Sequence, residues 1–386
     1  MAHQARAIKA GISASLSGQF QTQGRQALAG LQAWAAWVNR RGGLRVARAG
    51  GGLPVEVIHY DDASRADRCQ QAVQRLLDYH RVDLLFGPYS SVLTAAAAAV
   101  AESRNQVLWN QGGASERVFQ QGYRWVVGIL TPASEYLAGL LPAVRVAAPK
   151  ASTLAVVRAS TGEFPQAVVQ GLERWAAALG FHTVLAQNFP ADTQDFASIL
   201  DAVAAAQPDV LVAVGRIHND LAFAQQLAAR RLPITVSAVV AAPIQQFCDA
   251  LGQEAEGFVG PSQWEAPVRY PVDYGPGTQE ALEYLAHQGD SAPDYPLVQA
   301  FAAGLVAQRC AEEAGSLEPL AMRKAAGSLE MTTFYGRFRI DPDSGRQVGR
   351  SVVLVQWQQG RKLAVWPPEL RQGMLVAPWR DTRRKR

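Results

Sequence analysis

Two short stretches carry the residues whose types and spacing could do chemistry. One is Gly87-Pro88-Tyr89-Ser90-Ser91; the other is Asn110-Gln111-Gly112-Gly113-Ala114-Ser115. Each combines hydroxyl groups with glycine, so side chain and backbone can both approach a ligand. The chemistry on offer is non-covalent: Ser hydroxyls and backbone N–H groups at a helix start suit an anion. Gly and Ser also end many strands for structural reasons alone, so it is the pair of loops on one sheet edge that points to a site. Motifs of catalysis are missing. There is no G-x-S-x-G, H-E-x-x-H or Walker A, and no G-x-G-x-x-G follows the first strand. The six His form no evident Ser/His/Asp set, and an enzyme is not expected. Cys69, Cys248 and Cys310 are widely spaced, with no CxxC and no Cys/His cluster, so neither a metal nor a disulfide scaffold is expected. No cofactor is expected, and the thiols read as buried.

The elements around these loops decide where they lie. Leu84–Phe86 and Val107–Trp109 are short apolar runs that read as strands, and the Ala-rich Val92–Glu102 between them reads as a helix packed on a sheet. That βαβ crossover puts both loops at the carboxyl ends of parallel strands, the edge where open α/β sheets bind ligands. Upstream, strands over Ile8–Ser15 and Val55–Tyr60 alternate with helices near Gln23–Arg40 and Arg65–His80, and a strand over Arg124–Ile129 follows. The pattern then restarts, with strands at Thr153–Val157, Thr183–Phe189, Asp209–Gly215 and Ile234–Val240 and helices at Gln166–Leu179, Phe196–Ala206 and Leu221–Arg230. Asp209–Gly215 (DVLVAVG) echoes Asp83–Gly87 (DLLFG). Two βα lobes in an α/β class fold imply a cleft between them. After an irregular segment from Ser262 to Tyr274 come helices near Thr278–His287, Pro296–Glu313 and Pro319–Ser328. Strands at Phe334–Ile340, Ser351–Trp357 and Lys362–Trp366 then form hairpins.

Composition sets the outer limits. The 386 residues are 18% charged and 48% hydrophobic, which fits a folded chain with a large core rather than a disordered one. Much of the net charge of +4 sits in Arg383-Arg384-Lys385-Arg386, so no nucleic-acid face is expected. No run approaches the ~20 apolar residues of a membrane span. The start, Met1 to Arg6, has no apolar signal core, so either the chain stays in the cytoplasm or a leader has been cut away.

Taken in order, Ile8–Gly24 (IKAGISASLSGQFQTQG), Asp61-Asp62-Ala63-Ser64, Gly87–Ser91, Gly112–Ser115 and Phe334–Asp341 (FYGRFRID) resemble a known family. It is the branched-chain amino-acid (Leu/Ile/Val-binding-like) type of ABC-transporter substrate-binding protein, with the type I periplasmic-binding fold. The resemblance implies two Rossmann-like lobes with parallel sheets, joined by three crossovers near Leu130-Thr131, Gly260–Gln263 and Arg337–Ile340. The lobes are then 1–130 plus 263–336, and 131–262 plus 337–386. It also implies a small-molecule ligand bound between lobes that close by a hinge, a periplasmic monomer, and ABC permease subunits as partners. The alternative is a cytoplasmic, amide-responsive ligand sensor of the same fold, whose partner is a regulatory protein.

Carried over by position, Ser91 matches the serine that holds a ligand carboxylate, and Gly112 and Gly113 match the loop whose backbone meets the ligand. Ala114 replaces a donating threonine, with Ser115 as the substitute; Gln23 falls where relatives place an aromatic, and Tyr89 reads as a wall of the cleft. On the other lobe Ser160, Thr161 or Phe164 falls near one ligand-covering tyrosine, and Ile217 or His218 near a second. Trp264 has two readings, a ligand stack or a cover for the lobe junction. Asp61-Asp62 reads as a turn or helix cap in preference to an acid pair. The family's disulfide cysteines are absent, with Ser64 and Ser90 near their places. One departure bears on the ligand. Amino-acid binders place a carboxylate after the strand matching Ile234–Val240, and Ser237–Ala242 holds no acid here. A ligand ammonium would need Glu163, Asp220 or Glu265 instead, because a buried unpaired charge is costly. A carboxylate without an ammonium, an amide or an aromatic acid fits as well.

Overall fold

Ile8–Ala14 (β1) is an apolar, small-residue run, buried at all but Lys9, as a strand covered on both faces must be. In the computed structural model, which describes residues 7–46, 51–286 and 293–379, it lies between two parallel neighbours. Val55–Asp61 (β2) pairs with it from Ile8 opposite Val55, and Leu84–Phe86 (β3) from Ala10 opposite Leu84. Leu108–Asn110 (β4) and Val126–Gly128 (β5) complete a five-stranded parallel sheet in the order β2-β1-β3-β4-β5. The order reverses between β1 and β3, the switch point at which such sheets bind ligands.

The chain resumes with Thr153–Ala159 (β6), His182–Phe189 (β7), Val210–Val214 (β8), Val236–Val239 (β9) and Val259–Ser262 (β10). These run parallel, and Val353–Gln358 (β11) and Arg361–Trp366 (β12) add an antiparallel edge. The seven-stranded order is β12-β11-β10-β9-β8-β6-β7, so the second sheet reverses between β6 and β8. The fold is α/β, with two sheets that each reverse their strand order.

Contacts divide the chain into two compact units, Met1–Pro132 with Arg269–Arg350, and Ala133–Val268 with Ser351–Arg386. The divisions fall two, six and fourteen residues beyond the expected 130, 262 and 336. The last difference has a clear cause. Met331–Thr333 pairs with Gly336–Phe338 rather than with β11, so the expected strand Phe334–Ile340 is instead the turn and second arm of a small hairpin. Beyond it, Gly128 N donates to Gly345 O at 2.8 Å and Gln347 Nε2 to Ile129 O at 3.4 Å, which holds 337–350 on the first unit.

The first unit's sheet is covered on one side by Gln21–Arg40, packed against Tyr295–Ala314. A methyl on Gly30 would lie 2.0 Å from Leu297 O and one on Gly304 2.2 Å from the Trp34 ring, so both glycines permit the close crossing. Trp34 Nε1 donates to Gln308 Oε1 at 3.1 Å. A second layer holds Cys69, Val73, Leu76, Leu93 and Ala97. Cys69 and Cys310 are buried as expected, and Cys248 is half-buried. Helices at Leu140–Ala147 and Gln245–Leu251 were not expected from the sequence. The expected helix Arg65–His80 is a helix at Ala66–Gln74 with a wider turn at Arg75–Tyr79. The basic tail 383–386, residues 1–6 and His287 lie outside the described residues.

Candidate functional site

In the first unit the loops after β3 and β4 pack directly on each other. A methyl on Gly112 would fall 2.2 Å from Pro88 O, and one on Gly113 2.6 Å from Thr94 Oγ1, so only glycine lets them touch. Thr94 Oγ1 donates to Pro88 O at 3.1 Å. Asn110 caps its own loop: Oδ1 accepts from Gly113 N at 2.8 Å and Gly112 N at 3.3 Å, and Nδ2 donates to Gly113 O at 2.8 Å. The Gly112 and Gly113 N–H groups, read as ligand contacts, are therefore committed within the loop. Gln111 is fully buried, and its Nε2 donates to Gly87 O at 2.7 Å, tying the end of β4 to that of β3.

Ser91 opens the 13-residue helix Ser91–Ser103. Its Oγ accepts from Ser115 N at 3.1 Å, so the structure brings Ser91 and Ser115 together across the two loops. An oxygen already accepting an N–H presents its own O–H as a donor. Ser115 Oγ accepts from Arg117 N at 3.3 Å, and Ala114 is buried beside it.

Aromatic rings pack against Tyr89 on the first of these loops. Tyr89 Oη and Tyr295 Oη share a 2.8 Å hydrogen bond, and Phe20 meets Tyr89 edge-on at 5.8 Å between ring centres. Burial pushes the Tyr89 phenol up from its ordinary value, against the opposing bond from Tyr295. Gln23 is half-buried in the first turn of Gln21–Arg40, and it is Phe20 that brings an aromatic ring to Tyr89. Phe20 and Tyr295 were missed by sequence reasoning, although Asp294-Tyr295-Pro296 carries a helix-start signature that could have placed the ring.

The loops after β1 and β2 are bound by carboxylates. Asp62, fully buried, accepts from Ser13 Oγ (2.8 Å), Ser15 Oγ (2.5 Å) and Ser64 N (2.9 Å); burial outweighs these and pushes its carboxyl up. At Asp61 burial also works against the charge, but the Ala63 N–H, Ser17 hydroxyl and Leu16 N–H hold it below the ordinary carboxylate range. Each aspartate also accepts an N–H two residues on, the geometry of a turn. No group of three or more His, Cys, Asp or Glu suited to a metal occurs among the described residues.

In the second unit, Ser160 and Thr161 are exposed in the loop after β6, and Phe164 packs edge-on against Tyr136 at 5.2 Å. His218 is exposed, its Nε2 3.0 Å from Ala191 O, and Ile217 begins the helix Ile217–Arg230. Trp264 is buried, and its backbone N–H donates to Ser262 Oγ at 3.3 Å. Of the three acids that could receive an ammonium, two are engaged, and Asp220 keeps a buried Oδ1 without a hydrogen-bond partner among the described residues. Glu265 is 3.2 Å from Lys362 Nζ, and Glu163 has a partner of its own. Asp220 accepts from Ala241 N at 3.0 Å and is fully buried, which pushes its carboxyl up to about 8, against the opposing N–H groups of Ala241 and Gly215.

Comparison with known proteins places this architecture. A Leu/Ile/Val-binding protein homolog 7 from Brucella abortus is 22% identical over 380 residues, spanning 93% of this chain and 91% of its own. A leucine binding protein from Thermotoga maritima superposes with a TM-score of 0.78 at 18% identity, over 94% of this chain and 99% of that one. An R. palustris ABC-transporter solute binding protein, solved with benzoate, superposes with a TM-score of 0.77 at 16% identity, over 96% and 97%. The model of the periplasmic binding protein family matches residues 7–362, and with two sheets that both reverse at a strand-end edge and the type I fold of these structures, the chain belongs to that family.

Proposed function

We propose that the chain is the solute-binding component of an ABC importer, a periplasmic monomer that delivers a small carboxylate lacking an ammonium group to membrane permease subunits. The observation that carries this reading is the setting of the three acids: Glu265 is ion-paired, Glu163 has a partner, and burial raises the Asp220 carboxyl. Two of the three are already paired, and a carboxyl raised by burial is a weaker partner for a buried ammonium. We assign the carboxylate end of the ligand to the first unit, where Ser91, whose Oγ accepts from Ser115 N, stands at a helix N-terminus. Phe20, Tyr89 and Tyr295 favour an aromatic or otherwise flat body. The fold does not choose between ligands, since the leucine-binding and benzoate-bound proteins superpose almost equally well. The cycle is one of population shift toward a ligand-bound form that the permease reads, with no covalent step.

A thermal-shift panel of aliphatic amino acids, small amides, aromatic carboxylates and 2-oxo carboxylates tests the ligand class. A ligand that binds only the folded form stabilises it by ~2.7 kcal/mol at a hundredfold excess over its Kd. Midpoint shifts confined to carboxylates without an ammonium are expected; a shift with leucine or isoleucine alone would overturn this choice. Calorimetry on Ser91→Ala then tests the site. Affinity for the identified carboxylate should fall by ~1–3 kcal/mol, and unchanged affinity would move the site elsewhere.

A further inference from the structure

The chain passes between the two units three times, after Pro132, Val268 and Arg350. On the first unit's side, each passage is bonded to the small hairpin of Met331–Thr333 and Gly336–Phe338 or to a residue that is. The third meets it through Arg350, whose Nη1 donates to Tyr335 O in the hairpin's turn and whose guanidinium lies over the Tyr335 ring, 3.8 Å from its centre. The same guanidinium reaches the first passage, where Nε donates to Thr131 Oγ1 at 3.4 Å. Gln347 makes a parallel link, its Nε2 donating to Ile129 O and to Arg337 O, each at 3.4 Å. The second passage has bonds of its own: Asp273 N donates to Thr332 O at 2.9 Å, and the Asp273 carboxylate accepts from Thr332 N at 2.8 Å. The hairpin is fixed in turn, since Tyr335 is buried and its hydroxyl donates to Gln299 Oε1 at 3.2 Å, on the helix Tyr295–Ala314.

We propose that this hairpin is the seat of a hinge and that Arg350 is its clasp, coupling the first and third passages so that they bend together. Hinges are a few residues at the ends of elements that absorb changes of φ and ψ. Two such stretches bonded to one planar group cannot change theirs independently. Arginine suits the task, because its rigid fork donates in two directions while its flat face stacks on a ring; the ammonium of lysine is a point charge on a flexible stem. Arg350 is thus a positioning residue for the hinge. Its action belongs to the chain's own mechanics and does not depend on which ligand the protein carries.

Amide hydrogen exchange, read by mass spectrometry on the intact protein with no ligand added, tests the coupling. Arg350→Lys keeps the charge and loses the fork and the stack. It should raise exchange about tenfold in both 127–132 and 347–352, the effect of losing about one hydrogen bond from a local opening. Exchange in 269–274, held by Asp273, and in β1 should stay as it was. Thr131→Val keeps the side chain's shape and removes only its hydroxyl. It should raise exchange in 347–352 too, although the substitution lies in the other passage. No change, or a rise confined to whichever passage carries the substitution, would show that the passages are held separately and overturns the clasp. A rise shared by 269–274 and β1 would show that Arg350 supports the whole unit, and overturns it as well. If Arg350→Lys does not fold, Thr131→Val decides alone.

Discussion

Burial raises the Asp220 carboxyl to about 8, and the sign of its effect on stability follows. In the unfolded chain the group ionises near 3.8, so between the two values the folded state holds a proton that the unfolded state has released. Its contribution is fully present below pH ~4 and is lost as pH rises toward 8. Asp220→Asn keeps an oxygen for Ala241 N and removes the titration. Its melting temperature should fall less than that of the wild-type protein between pH 5 and pH 8; parallel curves across that range would show that Asp220 does not bind the proton. Residues of this kind were only partly legible in the sequence. Ser91 and Ser115 stand out by type and place, and the structure bonds them to each other. The raised carboxyl of Asp220 depends on burial from β8, β9 and its own helix, and Tyr295 reaches Tyr89 across more than two hundred residues. Neither relation leaves a local pattern.

Elements were more legible, because the two-residue and 3.6-residue periods of burial are written along the chain. The strands of both sheets fall close to their expected places. Failures have local causes. Leu140–Ala147 is short and holds Pro142 in its first turn, which masks the period. Within the expected strand Phe334–Ile340, Gly336 takes a positive φ of 117°, and the chain folds back there as a hairpin. The packing of Gln21–Arg40 on Tyr295–Ala314 belongs to this scale too. A methyl at Gly30 meets a backbone carbonyl, not a side chain that could swing away. Gly30→Ala should therefore cost ~1–3 kcal/mol of unfolding free energy in urea, the range for overpacking a close contact. A change below ~0.5 kcal/mol would mean that the helices separate at little cost.

At the scale of the whole molecule, the two repeats were visible as a pattern that restarts, whereas the return of the chain came only from the family resemblance, which put the third division at 336. The third division lies at Arg350 because Gly345 and Gln347 bond back to Gly128 and Ile129, pairings set by tertiary contact alone. That interleaving has a consequence in time. Residues 1–132 are made first, yet their sheet lacks the covering helix Tyr295–Ala314 until much later in synthesis. The second unit likewise waits for β11 and β12 to close its sheet. Neither unit can be finished while the ribosome is still in the first two-thirds of the message. Stalled nascent chains that expose residues up to Val268 should stay protease-sensitive within 1–132, and protection should appear once Arg350 has emerged; early protection would show that the N-terminal segment folds unaided. A chain laid out in this way remains threadable through a translocation pore for most of its synthesis.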